Sequence, residues 1–141
     1  METQQLMISD WVLHEGEPYQ IRQLGIYGIN RDGEDYPAVC VGKPKGIGLI
    51  IERNEIAPIP LTDEILEKNE FKFYCTDVFE EWKSKDKRIT IHDEEYPNSF
   101  NKWSVHVDTE DMRTMGYFEI TYVHELQHAL RLCGIEKEIK V

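Results

Sequence analysis

Apolar and polar positions follow two different rhythms along this chain. Over the first sixty residues short β-rich runs alternate with turn residues: Leu6 to Ile8, Trp11 to His14, Tyr19 to Ile26, Ala38 to Val41, Ile47 to Ile51 and Ile56 to Ile59. Glu15-Gly-Glu-Pro18 and Arg31-Asp-Gly-Glu34 place Gly and Pro where the chain must reverse, and Gly42-Lys-Pro-Lys-Gly46 supplies a third turn. Strands at this spacing predict an SH3-like β-barrel or a curled β-meander over residues 1–60.

After Pro60 the rhythm becomes mixed. Thr62 can cap a short helix over Asp63 to Lys68, with two acids in its first turn against the positive end of the dipole. Phe71, Phe73 and Tyr74 are expected to return to the core. Val78, Phe79 and Trp82 fit a helical turn or β structure equally. Arg88 to His92 and Trp103 to Asp108 alternate as strands, an irregular loop over residues 93–98 lies between them, and Met112 to Ile120 forms a partner strand. His106 shares the wet face of its strand with Ser104 and Asp108. Ile120, Val123, Leu126, Leu130 and Cys133 then carry the three-and-four spacing of a buried helical face, leaving His124, Gln127, His128 and Arg131 on the wet side. Gly134 and Ile135 suit a Schellman ending, so a long C-terminal helix spans about 120–133. The expected fold class is α+β: a β-rich SH3-like subdomain (1–60), then a helix, a small antiparallel sheet and the C-terminal helix (61–141). The two parts either share one core or keep separate ones.

Composition narrows the function. Among 141 residues, 40% are hydrophobic, which suffices for a core, and 27 acids against 16 Lys and Arg give a net charge of −11. That sign opposes direct nucleic-acid binding, which needs clustered cations. Only Lys83 to Arg88 forms a short basic run, which reads as a solvated turn. Gly42 to Gly46 lacks phosphate-loop spacing. Three cysteines without C-x-x-C spacing indicate neither a disulfide framework nor a cysteine metal site. No basic leader or long apolar run is visible, so a cytoplasmic protein without membrane association is expected. Trp11, Tyr19, Tyr27 and Tyr36 could line an aromatic peptide-binding strip, although Trp11 reads more simply as core.

One stretch suggests catalysis. His124-Glu-Leu-Gln-His128 matches H-E-x-x-H, in which two histidines one helical turn apart bind zinc and the glutamate acts as base. His124 and His128 would be the ligands and Glu125 the base. A third ligand is not evident: the longer zinc-protease pattern would need Gly at Arg131 and His at Gly134, and only Glu136 and Glu138 follow. His14, His92, Asp93 and His106 are upstream candidates that spacing does not distinguish. This chain's own His and Glu frequencies give on the order of 0.02 accidental matches. The preferred reading is therefore a structural helix without cofactor.

Ile59-Pro-Leu-Thr-Asp-Glu64, followed by Leu66 and Phe71, and the late Tyr122-Val-His-Glu-Leu-Gln127 resemble small phage and prophage proteins of Bacteroidetes bacteria. Their pattern opens a short helix with Ile-Pro-Leu-Thr-Glu and carries a late Val-His-Gln-Leu-Gln. Where that pattern has glutamine this chain has Glu125, and where it often has asparagine this chain has His128. The zinc-like pentapeptide would then arise from two local differences. The resemblance implies a phage-associated cytoplasmic accessory protein and nominates no site. The expected function is non-catalytic binding of a host or phage protein. A minimal zinc-dependent hydrolase and an acidic nucleic-acid mimic are the alternatives.

Overall fold

The computed structural model describes residues 6–93 and 102–141, and the chain divides into two units, Met1–Ile59 and Pro60–Val141. Apart from Asp93, the loop expected over residues 93–98 lies outside the described residues, as do Met1 to Gln5.

In the first unit the alternating runs become β1 (Trp11–His14), β2 (Glu17–Ile29), β3 (Asp35–Gly42), β4 (Leu49–Glu52) and β5 (Ile56–Pro58). They form one antiparallel sheet in the order β4-β3-β2-β1-β5. The long β2 bends where its register with β3 shifts, at Ile21/Gln23 and Gln23/Ile26, and Gly25 supplies a φ of 70° that a side chain would resist. Leu6, Val12, Ile21, Val39, Val41, Ile51 and Ile56 form the core, with Tyr19 and Leu24 packed against it. The expected SH3-like barrel is corrected to an open sheet. A barrel requires the two end strands to meet, whereas a 3-10 turn at Arg53–Glu55 carries the chain from β4 to β5, which pairs with β1 at the opposite edge.

The second unit contains α1 (Asp63–Lys68), β6 (Lys72–Cys75), β7 (Glu80–Lys83), β8 (Ile89–Asp93), β9 (Trp103–Asp108), β10 (Thr114–Ile120) and α2 (Val123–Leu132). Its sheet runs β10-β9-β8-β7-β6, each strand beside its neighbour in sequence. The α+β expectation, with a small sheet and a long terminal helix, is therefore corrected to a mainly β chain of two five-stranded antiparallel sheets. The helices have six and ten residues. The last helix is shorter than 120–133 because Ile120 completes β10 and Tyr122 forms an antiparallel bridge with Pro60, so rotation can begin only at Val123.

Ile89, Ile91, Trp103, Val105, Val107 and Ile120 are buried on the sheet, and Val123, Leu126, Ala129 and Leu130 on α2. A Cβ at Gly116 would come within 3.1 Å of Cys133 Sγ, which shows how closely the helix end approaches β10. Phe71 is buried as expected, but Phe73 and Tyr74 are exposed. They sit on β6, an edge strand with one neighbouring strand among the described residues. No helix among the described residues is long and apolar enough to cross a membrane.

Candidate functional site

The H-E-x-x-H residues lie in the first two turns of α2. Glu125 Oε2 accepts hydrogen bonds from the backbone N–H groups of Thr121 at 2.6 Å and Tyr122 at 3.0 Å. Tyr122 is the N-cap residue, so Glu125 is the glutamate arm of a capping box, three positions into the helix. Its negative charge also meets the positive end of the helix dipole. A general base must turn its carboxylate toward a metal-bound water, whereas this one is held against the backbone that starts its own helix.

The histidines do not sit on a wet face. His124 is 2% exposed and Gln127 is also buried, while His128 and Arg131 are half-buried. The sequence expectation assumed a surface helix, whereas two of the four positions are buried, and Leu61 N–H donates to Thr121 O at 3.0 Å just before the helix start. The His124 ring stacks with Tyr122 at 5.8 Å and meets His128 edge-on at 5.6 Å. This contact also joins the two motifs that carry the phage-protein resemblance, because Pro60 and Leu61 pair with Tyr122 and Thr121.

The other proposed ligands are dispersed. His14 belongs to the first unit, where Nδ1 lies 3.4 Å from Glu55 O. His92 and His106 stand on the second sheet 5.7 Å apart, and His106 packs edge-on against Tyr117 at 4.7 Å. His92 Nε2 lies 3.8 Å from Glu81, a buried carboxylate that Lys83 approaches at 2.6 Å. Asp93 ends β8 beside a cavity described below, and Glu136 and Glu138 are exposed. Among the described residues no group of three or more His, Cys, Asp or Glu is placed to hold a metal ion. Cys133, nearest to α2's end, has its thiol pKa pushed up by burial, which opposes thiolate chemistry there.

The aromatic strip does not form. Tyr19 is opposite Val12 on the neighbouring strand, and Trp11 points to the other face of the sheet. Trp11 is buried, whereas Tyr27 is 71% exposed. The basic run is a turn: Asp86 accepts from Ser84 Oγ and from the Arg88 N–H, and Lys83 is ion-paired with Glu81.

A different surface emerges at the end of the second sheet. Every residue of β6 is exposed, and β7 is its only neighbouring strand among the described residues. Phe73 packs on Trp82 of β7 at 5.2 Å. The turn that follows is held by Thr76 Oγ1, which accepts from the N–H groups of Val78 and Phe79, and it presents Val78 at 87% exposure. A cavity of about 320 Å³ opens beside it, lined by Thr76, Asp77, Val78, Phe79, Glu80 and Asp93. Three carboxylates and two apolar side chains therefore border a strand edge that no other strand among the described residues pairs with. Sequence reading sent Phe73 and Tyr74 of this edge inward, because large apolar side chains look alike on edge and interior strands. No protein-family model, no curated protein and no solved structure matches this chain.

Proposed function

We propose that the chain is a non-catalytic accessory protein that binds a host or phage protein in the cytoplasm by pairing β6 with an extended, basic segment of that partner. The observation that supports this reading is the edge strand β6, every residue of which is exposed, bordered by Val78 and Phe79. Such an edge offers unpaired backbone N–H and C=O groups to an added strand, and neighbouring side chains choose the sequence. Asp77, Glu80 and Asp93 give that choice its sign, favouring Lys or Arg beside apolar residues. The phage and prophage resemblance supports a partner of that origin. The cap made by Glu125 supports a structural role for the motif on α2.

The test is to pan a random peptide library against the full chain and titrate the enriched peptides. They are expected to alternate apolar residues with Lys or Arg, to bind at least about tenfold more weakly to Phe79→Asp, and to weaken with added salt. Neutral or acidic winners, or undiminished binding by a folded Phe79→Asp variant, would sink the proposal. Melting with zinc and with a chelator tests the hydrolase alternative separately. Unchanged melting is expected, and a zinc-induced rise that vanishes in His128→Ala would favour that alternative.

A further inference from the structure

The first sheet has two edges of unlike character. β5 is three residues long and ends in Pro58, which has no N–H to offer, so that edge is protected against pairing. β4 carries no such device. It reads Leu49-Ile-Ile-Glu52, follows Ile47, and leaves Ile47, Leu49 and Ile50 at 90%, 44% and 60% exposure. β3 is its only neighbouring strand among the described residues.

Its flanking charges identify what fits there. Lys43 and Lys45 precede the strand, Glu52 is its last residue, and Arg53 and Glu55 follow it. Lys43 is already ion-paired with Glu17 at 2.8 Å, while Lys45 and Glu55 are both exposed. With Lys45 five positions before Ile50 and Glu55 five positions after it, the edge complements itself when antiparallel. A two-fold axis at Ile50 sets Ile50 of one copy against Ile50 of the other and Leu49 against Ile51, on matching faces of a continuous sheet. The Lys45 end of each copy then lies beside the Glu55 end of the other.

We infer that the chain forms a weak symmetric homodimer by antiparallel pairing of β4 with β4 of a second copy, in register about Ile50. The strand is short, so association is concentration-dependent, as for small interfaces generally. The proposal is independent of the β6 surface, and Phe79→Asp is expected to dimerise like the parent.

Sedimentation equilibrium on the full chain tests it. Between about 10 and 300 μM the mass is expected to climb from monomer toward dimer. Ile50→Lys, which opposes two cations at the axis, should stay monomeric with an unchanged circular dichroism spectrum. Ile47→Asp outside the strand gives the same reading if Ile50→Lys does not fold. Lys45→Glu and Glu55→Lys should each weaken association by about threefold to tenfold, and combining them should restore it. A parent monomeric throughout the range, a folded Ile50→Lys or Ile47→Asp variant that associates like the parent, or a double charge exchange no better than its singles would overturn the inference.

Discussion

The two helices of the second unit are built to one plan with different residues. α1 starts at the Thr62 hydroxyl, which accepts from the Ile65 N–H at 3.4 Å, and α2 starts at the Glu125 carboxylate, which accepts from two N–H groups. Both close with a Schellman pair: Phe71 N–H to Leu66 O and Glu70 N–H to Glu67 O in α1, Ile135 N–H to Leu130 O and Gly134 N–H to Arg131 O in α2. The left-handed residue is Glu70 in one and Gly134 in the other, at φ of 64° and 69°. The comparison teaches that Glu125 is at a position any helix start might fill with an acceptor. The zinc-like spelling around it follows from which acceptor this helix uses.

The plan is best broken first at its core. Leu66 and Leu130 occupy the same place relative to each ending and are 0% and 1% exposed. Leu66→Ala and Leu130→Ala should each cost about 2–5 kcal/mol of unfolding free energy, measured by urea titration. A large gap between them would mean that one helix rests on a softer surface.

The caps should separate next. Glu125→Ala removes a charged acceptor from two N–H groups and should cost about 2 kcal/mol, against about 1 kcal/mol or less for Thr62→Ala, whose hydroxyl accepts one long bond from the helix backbone. Equal costs would remove the basis for treating Glu125 as the principal cap of α2.

Exchanging the endings sharpens the comparison further. Glu70→Gly should stabilise by about 1 kcal/mol, and Gly134→Ala should destabilise by about the same, because a Cβ is strained at positive φ. Open space surrounds a Cβ at Gly134, so backbone strain alone sets that cost.

The smallest effect is electrostatic. Glu64, in the first turn of α1, has its carboxyl held below its ordinary pKa by its own backbone N–H and then by the Thr62 hydroxyl. A depressed folded-state pKa contributes stability above the unfolded value, and that contribution is lost as pH falls through the folded value. Glu64→Gln should therefore lower the melting temperature slightly at neutral pH, and the difference should close in acid below the ordinary carboxylate range.

Local chemistry was legible in the sequence where one residue decides one backbone state. Thr62, Gly134 and the alternation of Trp103 to Asp108 announce a cap, an ending and a strand, because each acts on atoms a few residues away. Neighbour number was not legible. Phe73 and Tyr74 carry the same apolar character as Phe71, yet among the described residues β6 has a strand on one side only and leaves them exposed. Barrel closure failed for the same reason, since period-two alternation says which face is apolar and not whether end strands meet. His124 and Gln127 were assigned to water by helical angle, yet both are buried, and helical angle says nothing of the chain that Pro60 and Leu61 bring to the helix start from sixty residues earlier. Tyr122 concealed the role of Glu125, because a capping box is usually recognised by Ser or Thr at the first position.

The side chain of Asn69 binds both backbone groups of Lys140, donating to its O at 2.7 Å and accepting from its N–H at 2.8 Å across 71 positions of sequence. Ile139 beside it is fully buried. The five strands of this unit pair in chain order. α1 precedes them all, yet its C-cap Asn69 is fastened at Lys140 and Leu61 just before it at Thr121, closures far longer than any strand pairing requires. Docking of α1 is therefore expected to come late in folding, although it is the element synthesised first in this unit.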